Sequence, residues 1–346
     1  MSTAPLTILV TAVGSPGSVA LLRALKENGE RPMRIVGTDL REENPGRFHC
    51  DAFGTVPAGT DPGFAGAVLE LAQREGASVV LPQASFDLEG LARASADFAA
   101  AGITLICSTP EAVLAADSKF ETLALCERLG VRAPAFHLAK GGAEVAAAAR
   151  ALGYPHRDVC MKPVVAAGSR GFHVISSRSD ERAQLLHMRP GAMPLRLDAV
   201  ERILGDDPTE LLVMELVDGL ERTVDGYAEH GRIVIGHPKS REAMRSGLAM
   251  RFETLAAPDL MDVAATLVEG FGLHGFFNLQ LIGDAVLEMN PRISTVVYQS
   301  DLNLPWLGVR RAIGDLTDAE AAAAQARVRP GRVALRYFDQ LEYDPT

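Results

Sequence analysis

The chain has 346 residues, a formal net charge of -10, 47% hydrophobic residues and 23% charged residues. This length exceeds one ordinary core and predicts two or three packed units, and a near-average globular composition argues against disorder. The negative charge argues against nucleic acid as the main partner, because a phosphate backbone needs a concentrated basic surface.

The first residues carry no targeting or membrane signal. Residues 1–11 lack a basic leader, and the apolar residues 6–10 are too few for a signal-peptide core or a membrane span. Four scattered cysteines without a C-x-x-C spacing fit neither a zinc site nor a disulfide framework. We therefore predict a cytoplasmic protein without a membrane partner.

The first hundred residues alternate strand patterns with helical patterns. The predicted strands are residues 6–11, 34–39, 78–82 and 104–107. The predicted helices are residues 18–28, 63–75 and 88–101. Strands that alternate with helices indicate βαβ units and a parallel sheet, so we expect a Rossmann-like α/β domain over residues 1–110.

A glycine turn joins the first strand to the first helix. It contains Gly14 and Gly17, and Asp39 ends the second strand, where dinucleotide folds place a ribose-binding acid. An NAD(P)-dependent oxidoreductase is therefore one alternative. A structural or substrate-binding turn is the other, because any βαβ unit needs glycines here and Pro16 removes one N–H from a phosphate cradle.

The rest of the chain changes pattern and predicts an α+β arrangement. A helical linker over 111–133 leads into a small lobe over 134–210, with strands near 136–138, 159–163 and 172–176. A larger antiparallel sheet is expected over 211–346. Its predicted strands are residues 211–217, 223–229, 232–236, 276–282 and 286–290.

An apolar strand followed by a loop of small residues is the first candidate nucleotide motif. Lys162 lies in Val-Cys-Met-Lys-Pro, where a lysine must either reach solvent or meet an anion. Backbone N–H groups of the following loop can surround phosphates. The candidate loop residues are Gly168, Ser169, Arg170 and Gly171. An ordinary hairpin after a strand-end lysine is the alternative.

Two further segments carry groups suited to a nucleotide. Glu215 and Glu221 follow an apolar strand and could bind an adenine edge and ribose hydroxyls, although acidic strand ends are commonly just solvated. Lys119 lies in the first turn of a predicted helix, where a positive charge opposes the helix dipole. An anionic partner would explain that lysine, and a solvated surface position would explain it equally well.

The segment Glu-Met-Asn-Pro-Arg predicts a metal site. Glu288 and Asn290 are two residues apart on a strand, so they share a face and offer hard oxygen ligands to Mg²⁺. Arg292 could pair with a phosphate oxygen. Gln280 would join them if a three-residue connection, residues 283–285, sets the hairpin register.

A basic group and one acid are candidates for substrate binding. The basic residues that cluster after the strand over 232–236 are His237, Lys239, Arg241 and Arg245. Arginine forks match carboxylates, although a solvated charged loop is an equal alternative. Glu89 lies at a strand-to-helix junction of the first domain, where such folds place substrate groups.

The order of these segments resembles the ATP-grasp superfamily over essentially the whole chain. The resemblance is nearest to short single-unit relatives of the carbamoyl phosphate synthase large subunit and of biotin carboxylase. It implies a Rossmann-like domain followed by a two-lobed ATP-grasp fold, with ATP and Mg²⁺ as cofactors. It also implies an ATP-dependent ligase that releases ADP and phosphate through an acyl phosphate, acting on a small-molecule carboxylate and an amine or a related nucleophile.

The resemblance also assigns roles to residues, which we state as expectations. The ATP-binding residues would be Lys119, Lys162, the loop 168–171, Glu215, Leu216, Val217, Glu221 and His237. The metal ligands would be Gln280, Glu288 and Asn290. The catalytic residues would be Arg292, Lys162 and Arg241. The substrate candidates are Glu89, Lys239 and Arg245.

Three departures and three open points accompany the resemblance. Ser118 intervenes between Asp117 and Lys119, a neutral Gln280 stands at an often acidic metal position, and alanines replace common glycines in the phosphate loop. Dimers are common in related enzymes, so a homodimer is expected to be accessible. A non-catalytic ATP-binding module is a further alternative. The identities of the carboxylate and the nucleophile do not follow from the sequence.

Overall fold

The computed structural model describes residues 4–164, 171–187, 193–245, 248–294 and 301–344. The chain forms two compact units. Unit 1 comprises Met1–Asp117, Glu221–Gln280 and Met289–Thr346, and unit 2 comprises Ser118–Leu220 and Leu281–Glu288. The predicted division into four segments stays a prediction. Within the described residues, no helix is long and apolar enough to cross a membrane.

Unit 1 begins with a five-stranded parallel sheet, which confirms the Rossmann-like α/β domain. The strands are β1 (Leu6–Val10), β2 (Met33–Asp39), β3 (Ala52–Thr55), β4 (Val79–Leu81) and β5 (Thr104–Leu105). Their order is β3-β2-β1-β4-β5. The helices are α1 (Ser18–Lys26), α2 (Phe64–Arg74), α3 (Ser85–Arg93), α4 (Ser95–Ala100) and α5 (Pro110–Asp117). The predicted helix over 88–101 is thus two helices, and β3 was not predicted.

Both faces of this parallel sheet are buried, which explains its nearly continuous apolar strands. Ile8 and Val10 pack in one cluster with Leu21 of α1. Leu9, pointing to the opposite face, packs in another cluster with Val68 of α2. The sheet therefore presents its carboxyl edge, rather than its faces, for binding.

Unit 2 contains a smaller sheet with helices. Its elements are α6 (Lys119–Leu129), β6 (Phe136–Lys140), α7 (Gly141–Ala151), β7 (Val159–Pro163), β8 (His173–Ile175), α8 (Glu181–His187), α9 (Leu197–Leu204) and β9 (Glu210–Glu215). The strand order is β6-β9-β7-β8, and all neighbours are antiparallel.

The strand predicted over residues 211–217 was assigned to the wrong sheet. It is β9, which pairs with β6 and β7 rather than with the strand that follows it in sequence. Leu211 and Val213 pack in one apolar cluster, and Leu212 and Met214 pack in another. Burial on both faces makes β9 a central strand, a property that chain order does not reveal.

The larger sheet has the strand order β11-β10-β13-β14, and its β10–β11 pair is antiparallel, as predicted. The remaining elements are β10 (Glu221–Glu229), β11 (Arg232–Arg241), β12 (Arg251–Glu253), α10 (Pro258–Phe271), β13 (Gly275–Ile282), β14 (Ala285–Asn290), α11 (Leu304–Ala312), α12 (Asp318–Gln325) and β15 (Val333–Leu335). Strand β12 pairs with β15. Helices α8 to α11 were not among the predicted elements.

Candidate ATP-binding site

Lys162 lies on β7, the strand that is flanked by β9 and β8 in the smaller sheet. It is paired with Leu212 and is only 8% exposed. Lys119 is the first residue of α6, and the hydroxyl of Ser118 caps that helix by accepting from the N–H of Glu121 at 3.2 Å. The intervening Ser118, a departure from the family pattern, thus has a local structural role as the N-cap.

The two lysines share the field of one carboxylate. Lys119 Nζ lies 3.8 Å from Glu288 Oε2, within unit 2. Burial lowers the pKa of Lys162, the Glu288 carboxylate partly opposes that shift, and the charge of Lys119 adds to it. Two lysines thus lie in the field of Glu288, and Lys162 is in a poorly hydrated place, where an ammonium group favours an anionic ligand.

An apolar cluster of unit 2 contains residues from the same strand and its neighbour. Cys160, two residues before Lys162, packs with Leu212 and Met214, and the half-buried Leu216 packs against this cluster. Burial raises the pKa of the Cys160 thiol to about 11, so this cysteine is a small apolar side chain rather than a nucleophile. Such a surface is suited to the flat face of a base.

Leu216 and Val217, two of the expected ATP-binding residues, follow β9 and are called the hinge below. The backbone N–H of Glu215 donates to the carbonyl of Ala135 at 2.8 Å, and the Glu215 carboxylate accepts from the N–H of Ala135 at 3.4 Å. Leu216 and Val217 are half-buried and lie outside the strand. These two hydrogen bonds fix the end of β9. The next residue, Leu216, packs against the apolar cluster described above.

Only the end of the predicted phosphate loop falls within the described residues. Gly168, Ser169 and Arg170 lie outside them. Gly171 has φ +70°, and a Cβ added there would lie 2.6 Å from Pro163 Cδ. A glycine is therefore required at this position both for its backbone conformation and for the close approach to the residue after Lys162.

Unit 1 contributes a ladder of polar side chains on the larger sheet. Gln280 donates from Nε2 to Asn278 Oδ1 at 2.9 Å, and Asn290 donates from Nδ2 to the same oxygen at 3.4 Å. Arg241 donates from Nη1 to both Glu221 and Gln280. Glu221, Arg241, Gln280 and Asn290 thus belong to one hydrogen-bonded group, centred on an Asn278 that was not predicted. Asn278 lies two residues before Gln280 on the same strand, so it shares a face with Gln280, and this spacing could have predicted it.

The connection between β13 and β14 corrects the predicted hairpin. It consists of two residues, Gly283 and Asp284, so the expected three-residue connection is wrong. A regular two-residue hairpin would place Asn278 and Asn290 on opposite faces. The two amides are nevertheless hydrogen-bonded at 3.4 Å. Gln280 and Asn290 therefore both contact Asn278, although the connection that was expected to bring Gln280 into the site is absent.

The predicted basic cluster is a strand rather than a loop. His237, Lys239 and Arg241 lie within β11, which continues to Arg241 instead of ending at Gly236. Pro238 signals a break, yet β11 is the outer strand of the four-stranded sheet, where a missing N–H is tolerated. The alternation of a strand places the three basic residues on one face.

Lys239 and His237 are buried and have partners inside unit 1. Lys239 Nζ lies 3.1 Å from Asp225 Oδ2, with both side chains almost completely buried. Asn278 donates to the other oxygen of Asp225 at 2.9 Å. His237 Nε2 lies 3.2 Å from Thr254 Oγ1, and burial, reinforced by the charge of Lys239, lowers the pKa of His237 to about 2. His237 is therefore neutral at physiological pH.

The remaining candidates occupy separate places. Arg292 donates from Nε to Ser85 Oγ at 2.9 Å. The exposed Glu89 is paired with Arg93 at 2.8 Å one helical turn away, which gives its charge a local partner. The guanidinium of Arg245 lies 4.8 Å from the ring centre of Phe338.

The glycine turn after β1 has an internal acceptor. The N–H of Gly14 donates to Asp39 Oδ2 at 2.8 Å. A pyrophosphate bound at this turn would have to accept a hydrogen bond from the same N–H. The negative charge of the Asp39 carboxylate would repel it. This contact argues against the dinucleotide alternative, although the strand order is that of a dinucleotide fold.

The metal candidates are oxygen donors of mixed type. Among the described residues there is no group of three or more His, Cys, Asp or Glu that could hold a metal ion. Glu288 and Asn290 supply one carboxylate and one amide, both hard oxygen donors that fit Mg²⁺. Gln280 is a weaker candidate, because its oxygen accepts from the Arg241 guanidinium.

Two family models match separate parts of the chain. Residues 207–334 match a family described as ATP-grasp in the biosynthetic pathway with Ter operon. Residues 8–106 match the PylC-like N-terminal domain. The chain is also 27% identical over 211 residues to the carbamoyl phosphate synthase large chain of Kocuria rhizophila. That alignment covers 59% of this chain but only 18% of the relative, so the chain spans a small part of the relative's length.

Solved structures show the same fold. An L-amino acid ligase from Bacillus licheniformis superposes with a TM-score of 0.65 at 15% identity, covering 96% of this chain and 79% of that chain. A biotin carboxylase–β-γ-ATP complex from Campylobacter jejuni gives a TM-score of 0.64 at 16% identity, covering 91% and 72%. The chain is therefore a relative of the ATP-grasp proteins, with a Rossmann-like domain followed by the two-lobed ATP-grasp fold.

Proposed function

We propose that the protein is an ATP-dependent ligase that activates a carboxylate as an acyl phosphate and transfers it to an amine. The observation that carries this proposal is the buried Lys162, which shares the Glu288 carboxylate with Lys119. The positive charges of two lysines, one of them at a poorly hydrated position, would stabilise the triphosphate and the charge that develops during phosphoryl transfer.

The nucleotide would be held mainly by unit 2. Lys119, Lys162 and the loop 168–171 are assigned to the phosphates, and the apolar cluster around Met214 is assigned to the base. The hinge backbone at Leu216 and Val217, with Glu215, would bind the base edge, and Glu221 would bind the ribose. Glu221 would have to exchange its bond to Arg241 for bonds to ribose hydroxyls.

Magnesium fits the acidic end of β14. Glu288 and Asn290 would hold the ion, with Gln280 as a third donor if its oxygen leaves Arg241. The ion would supply charge neutralisation at the transferring phosphoryl group. Arg292 and Arg241 would supply fixed positive charge to the phosphate or to the substrate carboxylate, which an arginine fork matches at two points. The proposal gives Lys239 no direct role, because Asp225 neutralises it.

The reaction needs no protein nucleophile. The carboxylate oxygen attacks the γ-phosphorus, and the bond to the bridging oxygen breaks to release ADP. The amine nitrogen then attacks the acyl carbon, the bond between that carbon and the phosphate oxygen breaks, and the nitrogen loses one proton. Positioning and electrostatics are the main contributions that such chemistry requires of a protein.

An ADP-release assay over paired carboxylates and amines tests this function. The L-amino acid ligase with the same fold makes amino acids the first acceptors to include. We expect ADP and phosphate in equal amounts, and only when both a carboxylate and an amine are present. Binding of ATP and Mg²⁺ without turnover over the whole panel would favour the non-catalytic module instead. Light scattering of the same preparation would test the predicted homodimer.

A further inference from the structure

A cavity of about 350 Å³ lies in the first domain, within unit 1. Residues directly after β1, at the end of β2 and shortly after β4 contribute to its wall, so it is at the carboxyl edge of the parallel sheet, where open α/β sheets bind ligands. Its lining comprises Ala12, Asp39, Leu40, Val56, Pro57, Ala58, Gly59, Thr60, Phe64, Ala84, Phe86 and Asp87. The volume fits a small molecule.

The cavity wall contains a nearly buried carboxylate. Asp87 is 6% exposed, and one of its oxygens, Oδ2, accepts from the Thr11 hydroxyl at 2.6 Å. Within the described part of the chain, Oδ1 has no hydrogen-bond partner and the side chain has no Lys or Arg partner. Such a group is costly to bury unless something cationic or protic binds it.

A second carboxylate adds to the negative charge. Asp39 is held in place by two backbone N–H groups, from Gly14 at 2.8 Å and from Arg41 at 3.0 Å. Burial raises the pKa of Asp87 to about 6, the Thr11 hydrogen bond opposes the shift, and the charge of Asp39 adds to it. At neutral pH Asp87 is therefore mainly ionised, and the cavity disfavours anions.

The other walls are apolar. Val56 and Phe64 are buried, and the exposed side chains of Leu40 and Phe86 also line the cavity. An apolar surface between two carboxylates discriminates against strongly hydrated inorganic cations and in favour of an organic cation, because the organic body gains from burial.

We propose that this cavity binds a primary ammonium group carried on a small apolar or aromatic body. We assign it to the amine that receives the acyl group, and this assignment rests on the proposed ligase function. Ser85, between the cavity-lining Ala84 and Phe86, accepts from Arg292 at 2.9 Å. The cavity is thus linked directly to a residue that is assigned to the phosphate.

A neighbouring buried amide is a second unsatisfied group. Gln83 is 2% exposed, and neither polar atom of its side chain has a hydrogen-bond partner in the described residues. Its backbone N–H donates to Thr11 Oγ1 at 3.2 Å, so Gln83 and Asp87 are connected through one hydroxyl. Gln83 is not one of the lining residues, so its buried amide is suited to an ordered water rather than to the ligand.

Ligand titration of the full chain tests the binding step without turnover. The probes are benzylammonium, the neutral benzyl alcohol and the anionic benzoate, with binding followed by calorimetry and by ligand-observed NMR. We expect benzylammonium to bind most tightly and benzoate not to bind. The Asp87→Asn variant should weaken benzylammonium at least tenfold. The control Asp97→Asn, which removes an exposed carboxylate from the same domain, should leave its affinity unchanged.

Equal binding of the alcohol and the ammonium, or unchanged binding by Asp87→Asn, would overturn the proposal. If Asp87→Asn does not fold, Ala58→Trp replaces it, since this substitution fills the cavity from an exposed position. Retained benzylammonium binding in that variant would place the ligand elsewhere and sink the idea. A separate ATP titration distinguishes the two claims: ammonium binding without ATP binding would refute the ligase function and the assignment to its amine substrate, and would leave the cavity standing as an ammonium-binding site.

Discussion

Lys119 Nζ lies 3.8 Å from Glu288 Oε2, and the same carboxylate acts on the buried Lys162. Without nucleotide, Glu288 partly compensates two lysines. In the proposed function, the same carboxylate would bind the metal when nucleotide and magnesium are present. The phosphates would then contact the two lysines. The Glu288 carboxylate would therefore oppose ATP binding by competing for the lysines, and favour it by binding magnesium. Variants can separate these two effects.

Lys162→Met should reduce the affinity for ATP and magnesium at least tenfold, because the charge is removed while most of the buried volume stays. The variant should fold at least as well as the parent, since burial disfavours the ammonium at this position. Calorimetry and thermal unfolding measure the two effects. Lys140→Met, at an exposed lysine of the same sheet, is the matched control. Unchanged ATP affinity in Lys162→Met would remove this lysine from the phosphate site.

Glu288→Gln should change ATP binding in opposite directions with and without magnesium. Without the ion, ATP should bind more tightly, because Lys119 and Lys162 lose their competing carboxylate. With the ion, the gain in affinity that magnesium normally brings should disappear. Titrations in EDTA and in excess magnesium test this pair of outcomes. A uniform loss of affinity in both buffers would contradict the metal assignment of Glu288.

Gly171→Ala should destabilise the β7–β8 hairpin and weaken ATP binding. The residue has φ +70°, and the added Cβ would approach Pro163 Cδ at 2.6 Å. Gly130→Ala is the control, because Gly130 has a similar positive φ of +68° with nothing within 4 Å of the added Cβ. The difference in melting temperature between the two variants isolates the clash. Equal destabilisation would mean that only the backbone conformation matters.

Asp87→Asn should change how stability depends on pH. The folded-state pKa of Asp87 is raised to about 6, so the folded protein holds a proton that the unfolded chain releases at lower pH. The contribution of Asp87 to the free energy of unfolding is therefore greatest at low pH and is lost as the pH rises through 6, by at most about 3 kcal/mol.

Urea unfolding between pH 4.5 and 7.5 measures this effect. Relative to the parent, Asp87→Asn should gain stability as the pH rises through that interval, because it lacks the ionising carboxylate. Asp97→Asn should show no such trend. A parallel pH dependence in the parent and Asp87→Asn would show that burial of this carboxylate carries no such cost.

Local sequence patterns predicted much of the fold because they report local physics. Alternating strand and helix patterns identified the parallel sheet, and an apolar run with one lysine identified β7 and Lys162 at its observed bounds. Ser118, which interrupts the family pattern, is explained by its role as the N-cap of α6, because its hydroxyl accepts from the N–H of Glu121 only three residues later. In each case the determining interactions lie within one element or between neighbours in sequence.

Strand pairing and hydrogen bonding between segments that are distant in sequence could not be predicted in the same way. The assignment of β9 to the smaller sheet, the continuation of β11 through Pro238 and the bonding of Asn290 to Asn278 all depend on pairing across the fold. The cavity beside Asp87 was missed for the same reason, while the exposed Glu89 two residues later was chosen instead.

The sequence by itself determined which residue types lie on which strands, because side-chain alternation and apolar periodicity are properties of the local chain. The tertiary structure decided which of those charges are neutralised internally. Lys239 has Asp225 as a buried partner, whereas Lys119 and Lys162 share the field of the Glu288 carboxylate. Burial and charge balance depend on groups that are distant in sequence, so only the folded chain separates a structural lysine from one suited to phosphate.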